Sequence, residues 1–118
     1  SLSVLDSYYY HWAGGAPGLK GMSYFVTISK PSEKLIFKNI WVHDLKIKLK
    51  QKEDESRIVL SAAISKYEPD IPPISTQDHT EKRPVSSDAE GIISYMFNGN
   101  IFYLEIETFK KHSSKTHQ

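Results

Sequence analysis

Ile92-Ile93-Ser94-Tyr95-Met96-Phe97-Asn98-Gly99-Asn100-Ile101-Phe102-Tyr103-Leu104-Glu105-Ile106 is the stretch that decides the fold. Asn98-Gly99 is the residue pair that best accepts the positive φ angles of a type I′ turn, and a two-residue turn of that type joins antiparallel strands. The loop length also sets the register: Phe97 faces Asn100, Met96 faces Ile101 and Tyr95 faces Phe102. Because side chains alternate along a strand, Ile93, Tyr95, Phe97, Phe102, Leu104 and Ile106 share one face, the expected core face. Ser94, Met96, Ile101, Tyr103, Glu105 and Glu107 share the other.

The same period of two recurs upstream. In Leu45-Lys46-Ile47-Lys48-Leu49-Lys50 the apolar residues would face a core and the lysines water, which suits an exposed edge strand. Tyr8 to Trp12, Met22 to Ser29, Leu35 to Val42 and Ile58 to Tyr67 are further strands, with Leu35, Phe37 and Trp41 expected on one face. No segment carries a helical period. About seven antiparallel strands in a chain of 118 residues point to an all-β fold, a two-sheet antiparallel sandwich of immunoglobulin-like type, with a small β-barrel as the alternative. One domain is expected over 1–118. Within it, Glu68 to Glu90 is polar and holds Pro69, Pro72, Pro73 and Pro84, so it reads as a long loop or as one that hides a short edge strand. Asp70 to Ile74 favours an extended polyproline conformation, and Thr76 to Arg83 reads as the mobile part. Residues 110–118 form a basic tail.

Fifteen Lys and Arg against 14 Asp and Glu leave a formal net charge of +1. That is no field for steering toward nucleic acid or anionic lipid. The absence of cysteine removes disulfides, thiolate metal sites and cysteine nucleophiles together. No apolar run approaches the roughly 20 residues of a membrane span. No signal peptide is visible.

The unusual segment is Tyr8-Tyr9-Tyr10-His11-Trp12, followed by Ala13-Gly14-Gly15-Ala16-Pro17-Gly18-Leu19-Lys20-Gly21. An extended backbone points Tyr8, Tyr10 and Trp12 one way and Tyr9 and His11 the other. Two readings stand: both faces pack, one in the core and one beneath the glycine-rich loop, or the rings grip a ligand, because tyrosine and tryptophan join flat apolar area to a polar tip. The glycines match neither phosphate-loop fingerprint and suit chain reversal. His43-Asp44 reads as a turn, since neighbours on a strand diverge. Glu105 and Glu107 share a face as an acid and base pair would, or simply form a solvated surface. No catalytic residue, metal or cofactor is assigned.

Together, Tyr8 to Gly15 followed by Pro17-Gly18, the strand residues Leu35, Phe37 and Trp41, and Glu90-Gly91 ahead of Tyr95 and Asn98-Gly99 resemble a group of small lipoproteins and secreted proteins of Bacteroidetes-type bacteria. The resemblance implies a mature domain of the cell envelope, periplasmic or outer-membrane-anchored, once preceded by a signal peptide and a lipidated cysteine. The functional expectation is a non-enzymatic envelope domain that binds a protein or another surface component. Two alternatives are carbohydrate recognition by Tyr8, Tyr9, Tyr10, His11 and Trp12, and a hydrolase or enzyme accessory subunit that would bring Glu105, Glu107 and His11 into one pocket.

Overall fold

The computed structural model describes residues 2–14, 18–67, 79–80, 82–113 and 115–116. Among them are eleven strands: β1 (Val4–Ala13), β2 (Leu19–Ser29), β3 (Ile36–Val42), β4 (Leu45–Lys48), β5 (Lys50–Glu53), β6 (Arg57–Tyr67), β7 (His79–Thr80), β8 (Gly91–Phe97), β9 (Asn100–Ile106), β10 (Lys110–Lys111) and β11 (Lys115–Thr116). They form two sheets packed as a sandwich. The first runs β10-β1-β2-β6-β5 with β11 also on β1, and the second runs β7-β4-β3-β8-β9. The orders β1-β2-β6-β5 and β4-β3-β8-β9 are those of the immunoglobulin sandwich, strands A-B-E-D facing C′-C-F-G.

The β8–β9 hairpin has the register its turn dictates, with Phe97 on Asn100, Met96 on Ile101 and Tyr95 on Phe102. Asn98 and Gly99 have φ of 52° and 79°, the left-handed values that a type I′ turn demands and that a residue other than Asn or Gly resists. The core lies between the sheets, where Val26, Ile28 and Leu60 from the first meet Ile40, Ile47, Ile93 and Ile106 from the second. Phe109, beyond β9, closes one end with its ring edge against Tyr24, centroids 5.2 Å apart.

Four expectations need correction. Trp41 does not share the face of Leu35 and Phe37. Phe37 pairs with Tyr95 and Asn39 with Ser94, so Lys38 is an extra residue, and a bulge of one residue exchanges the faces of everything after it. Ile40 and Val42 therefore enter the core while Trp41 turns outward. Leu45 to Lys50 is not one edge strand either. β4 pairs with β3 in the second sheet and β5 with β6 in the first, and the chain changes sheets at Leu49, whose N–H donates to the carbonyl of the bulged Lys38 at 3.1 Å. Phe102 lies on the expected core face but stays 42% exposed, and Ile92, on the opposite face, is fully buried.

The fourth correction concerns Arg83, read as part of a mobile stretch. Its guanidinium donates to the carbonyls of His43 (2.8 Å), Ser87 (3.3 Å), Ala89 (2.6 Å) and Glu90 (2.9 Å). A planar fork with five N–H donors can hold several carbonyls at once, and it pins residues 83–90 to the β3–β4 turn. Ser87 then reaches β9 and donates to Glu105 at 2.6 Å. The segment thus crosses the outer side of the second sheet, over the row Lys46, Trp41, Ile92 and Glu105 that the registers align. Trp41 and Ile92 are buried there, with the Lys46 ammonium 5.4 Å from the Trp41 ring centre. The long loop does hide an edge strand, β7 on β4. Asp70 to Ile74, Thr76 to Asp78 and Glu81 lie outside the described residues.

Candidate functional site

The five aromatic-segment residues divide as their strand requires. β1 lies antiparallel to β2 with Tyr9 opposite Tyr24, Tyr8 opposite Phe25, Tyr10 opposite Ser23 and Trp12 opposite Gly21. Tyr24 and Val26 are core residues, so Tyr9 and His11 lean to the inner side and Tyr8, Tyr10 and Trp12 to the outer side of the first sheet. Tyr9 packs on the core and stacks on Tyr24 with centroids 5.7 Å apart. His11 is exposed and meets the Tyr9 ring edge-on at 5.8 Å. The structure therefore brings together Tyr8, Tyr10 and Trp12 and separates them from Tyr9 and His11.

Two further rings join the outer group. Phe25 is stacked with Tyr8 at 5.0 Å and 13° and with Tyr10 at 5.8 Å and 15°. On the other side of Tyr8 lies His112, at 4.0 Å and 8°. It is carried there by the tail, whose β10 pairs parallel with β1 and whose His112 N–H donates to the Tyr9 carbonyl at 2.8 Å. The result is a file of four near-parallel rings, His112, Tyr8, Phe25 and Tyr10, standing on the sheet. Tyr8, Tyr10, Trp12 and Phe25 are all half-buried, and His112 is exposed. Rings stacked in this way spend their faces on one another and turn edges and polar tips to solvent. Burial in the file, then the neighbouring Tyr10 and Asp6, push the Tyr8 phenol above the ordinary tyrosine range.

Trp12 is placed differently. A Cβ on Gly21 would come within 2.6 Å of its indole, so the ring lies close over that glycine, and its Nε1 donates to Ser23 Oγ at 3.1 Å. Only glycine leaves that space. Lysines border the aromatic strip on both sides. Lys110 stands beside Tyr8 in the register, and Lys50 and Lys52 lie opposite Ser61 and Val59 on β6, which in turn face Phe25 and Thr27. All three lysines are exposed.

Sequence reasoning missed Phe25 and His112. Phe25 had a signal: it breaks the polar alternation of Ser23 and Thr27 on the outer face of a strand whose other face is already apolar. His112 had none, because its place depends on a non-local parallel pairing. The proposed catalytic groups stay apart: His11 belongs to the first sheet and Glu105 to the outer side of the second, where its carboxylate accepts from Ser87. His43 and Asp44 occupy the β3–β4 turn, His43 with a left-handed φ of 56°. Among the described residues no three His, Asp or Glu side chains gather as a metal site would need, and no helix is long and apolar enough to cross a membrane.

No family model, no curated protein and no solved structure matches the chain. A sandwich of this kind hosts many functions, so any functional reading has to come from the site.

Proposed function

We propose that this domain is a non-enzymatic binding module that docks an extended, acidic-rimmed protein partner on the outer aromatic face of its first sheet. The observation that carries the proposal is the file His112, Tyr8, Phe25 and Tyr10, half-exposed and internally stacked. Its rings are already ordered by one another, so a partner that covers them meets little further loss of side-chain freedom. Tyrosine edges and hydroxyl tips suit peptide groups and side chains, the chemistry enriched at protein interfaces. Lys110, Lys50 and Lys52 on the flanks favour carboxylates at the rim of the contact. The cell envelope, with the lipid anchor implied by the resemblance of the Tyr8 to Gly15 segment, is the proposed location.

Carbohydrate is the second reading, and one feature favours it: Trp12 lies over Gly21 and is only half-buried, and an indole joins flat apolar area to a polar tip, the chemistry a sugar ring asks for. The two readings separate cleanly. The full chain, the Tyr8→Ser/Tyr10→Ser double variant and Trp12→Ala are each used to probe a random peptide display library and a glycan array. The protein reading expects enriched acidic peptides whose affinity falls roughly tenfold or more in the double variant and weakens with salt. Glycan hits abolished by Trp12→Ala, or no enriched peptide at all, would overturn it.

A further inference from the structure

The edges of the two sheets are not treated alike. β5 is Lys-Gln-Lys-Glu with every residue exposed, a charged rim of the sort that blocks strand addition. The outer edge of β1 is occupied by β10 and β11, and β7 has only two residues. β9 is seven residues long, and Ile101, Phe102 and Tyr103 on it are 55%, 42% and 39% exposed. Apolar side chains line its outer face up to the border, in the row Ile36, Met96, Ile101.

The register fixes which backbone groups of β9 are free for a partner. The pair beside a two-residue turn is a hydrogen-bonded one, and hydrogen-bonded and non-bonded pairs alternate from there. Phe97 with Asn100, Tyr95 with Phe102, Ile93 with Leu104 and Gly91 with Ile106 are thus the bonded pairs. Ile101, Tyr103 and Glu105 turn their N–H and C=O groups away from β8, and among the described residues no strand lies on that side.

We infer that β9 is a self-association edge, on which two copies of the chain pair antiparallel, Tyr103 against Tyr103, and join their five-stranded sheets. This contact is independent of the aromatic face proposed above, which belongs to the other sheet. The occupant is set by self-complementarity. A two-fold axis at Tyr103 sets Ile101 of each copy against Glu105 of the other, so all three outward-turned residues bond in facing pairs and no carboxylate opposes another. On the inner side Phe102 lies against Leu104, which covers the exposed Phe102 ring. Centring the axis on Glu105 instead would oppose two carboxylates, and centring it on Ile101 would run each strand into the other's Asn98-Gly99 turn. An interface that is its own complement is what a two-fold dimer requires.

Sedimentation equilibrium of the full chain tests this, with Tyr103→Pro and Ile101→Lys as variants. Proline at 103 removes an outward N–H while leaving the bonds of Phe102 and Leu104 to β8, and lysine at 101 places a charge at the joint. The expected result is a concentration-dependent dimer whose dissociation constant rises roughly tenfold or more, equivalent to about 1.4 kcal/mol, in each variant that keeps its β-sheet circular dichroism. The register has its own test, because the chain has no cysteine of its own. Residues directly opposed in such a pair lie within disulfide reach, so Tyr103→Cys is expected to cross-link under mild oxidation several-fold faster than Ile101→Cys or Glu105→Cys. A monomer at every concentration, folded Ile101→Lys dimerising with unchanged affinity, or equal cross-linking at all three positions would each overturn the proposal.

Discussion

Each sheet turns a tryptophan outward, and the chain deals with the two in opposite ways. Trp41 sits in the row Lys46, Trp41, Ile92, Glu105 and is only 5% exposed, on the side of the sheet to which Arg83 ties residues 83–90 through four carbonyls. Trp12 shares the outer side of the first sheet with the ring file and remains half-exposed. Outward aromatic area is therefore not in itself a sign of a site. Where the fold needs such area for stability the chain covers it with its own polypeptide, and on the reading proposed above the less buried face is the one put to external use.

The sharpest test of that contrast is to remove the same residue from both faces. Trp41→Ala is expected to lower stability by about 3–5 kcal/mol, the range for a buried tryptophan, whereas Trp12→Ala is expected to cost about 1 kcal/mol. Urea unfolding of both variants checks this, and similar losses would break the distinction between a covered and an open face. Next in size is Arg83→Leu, which leaves carbonyls at His43, Ser87, Ala89 and Glu90 without their donor. A loss of about 2 kcal/mol is expected, with faster hydrogen exchange confined to residues 83–92. Unchanged exchange there would mean that the cover does not depend on the guanidinium.

The smallest effect belongs to the open face and is read at high pH. The Tyr8 phenol ionises above the ordinary tyrosine range in the folded protein because it is partly buried in the file. A raised folded pKa means that its contribution to stability is whole below the unfolded tyrosine pKa and is lost as pH climbs through the folded one. Tyr8→Phe should therefore flatten the alkaline limb of the stability curve slightly and reduce the late component of an ultraviolet phenolate titration, leaving the part that belongs to Tyr24, whose burial also raises its phenol. A late component of unchanged amplitude would show that Tyr8 is not among the shifted groups.

Much of this architecture can be read from residues, and the exceptions share a physical cause. The Asn98-Gly99 turn carries its own geometry, so strand pairing, faces and register of β8 and β9 are fixed by local chemistry. Alternation in Leu45 to Lys50 is equally clear, yet a period of two reports only which side of a strand is apolar, not which sheet the strand joins. The change of sheets at Leu49 leaves the alternation intact. The bulge at Lys38 is invisible for a related reason, since one added residue leaves the composition undisturbed and shifts only the residues C-terminal to it. Arg83 lies in a stretch rich in proline and polar residues, and a guanidinium that gathers carbonyls from separate places in the chain has no spacing to betray it. Of the outer aromatic face, Tyr8, Tyr10 and Trp12 could be read from β1 alone. The file they belong to could not, because Phe25 and His112 reach it through pairings distant in sequence.

The crossing at Leu49 carries a mechanical consequence. A nearly unbroken extended run belongs first to one layer and then to the other, anchored midway by the Lys38 carbonyl, so it acts as a stitch through both. Neither layer can peel away without dragging its counterpart. A load applied at the open aromatic face is thereby shared by the whole fold instead of being borne by the sheet that presents it.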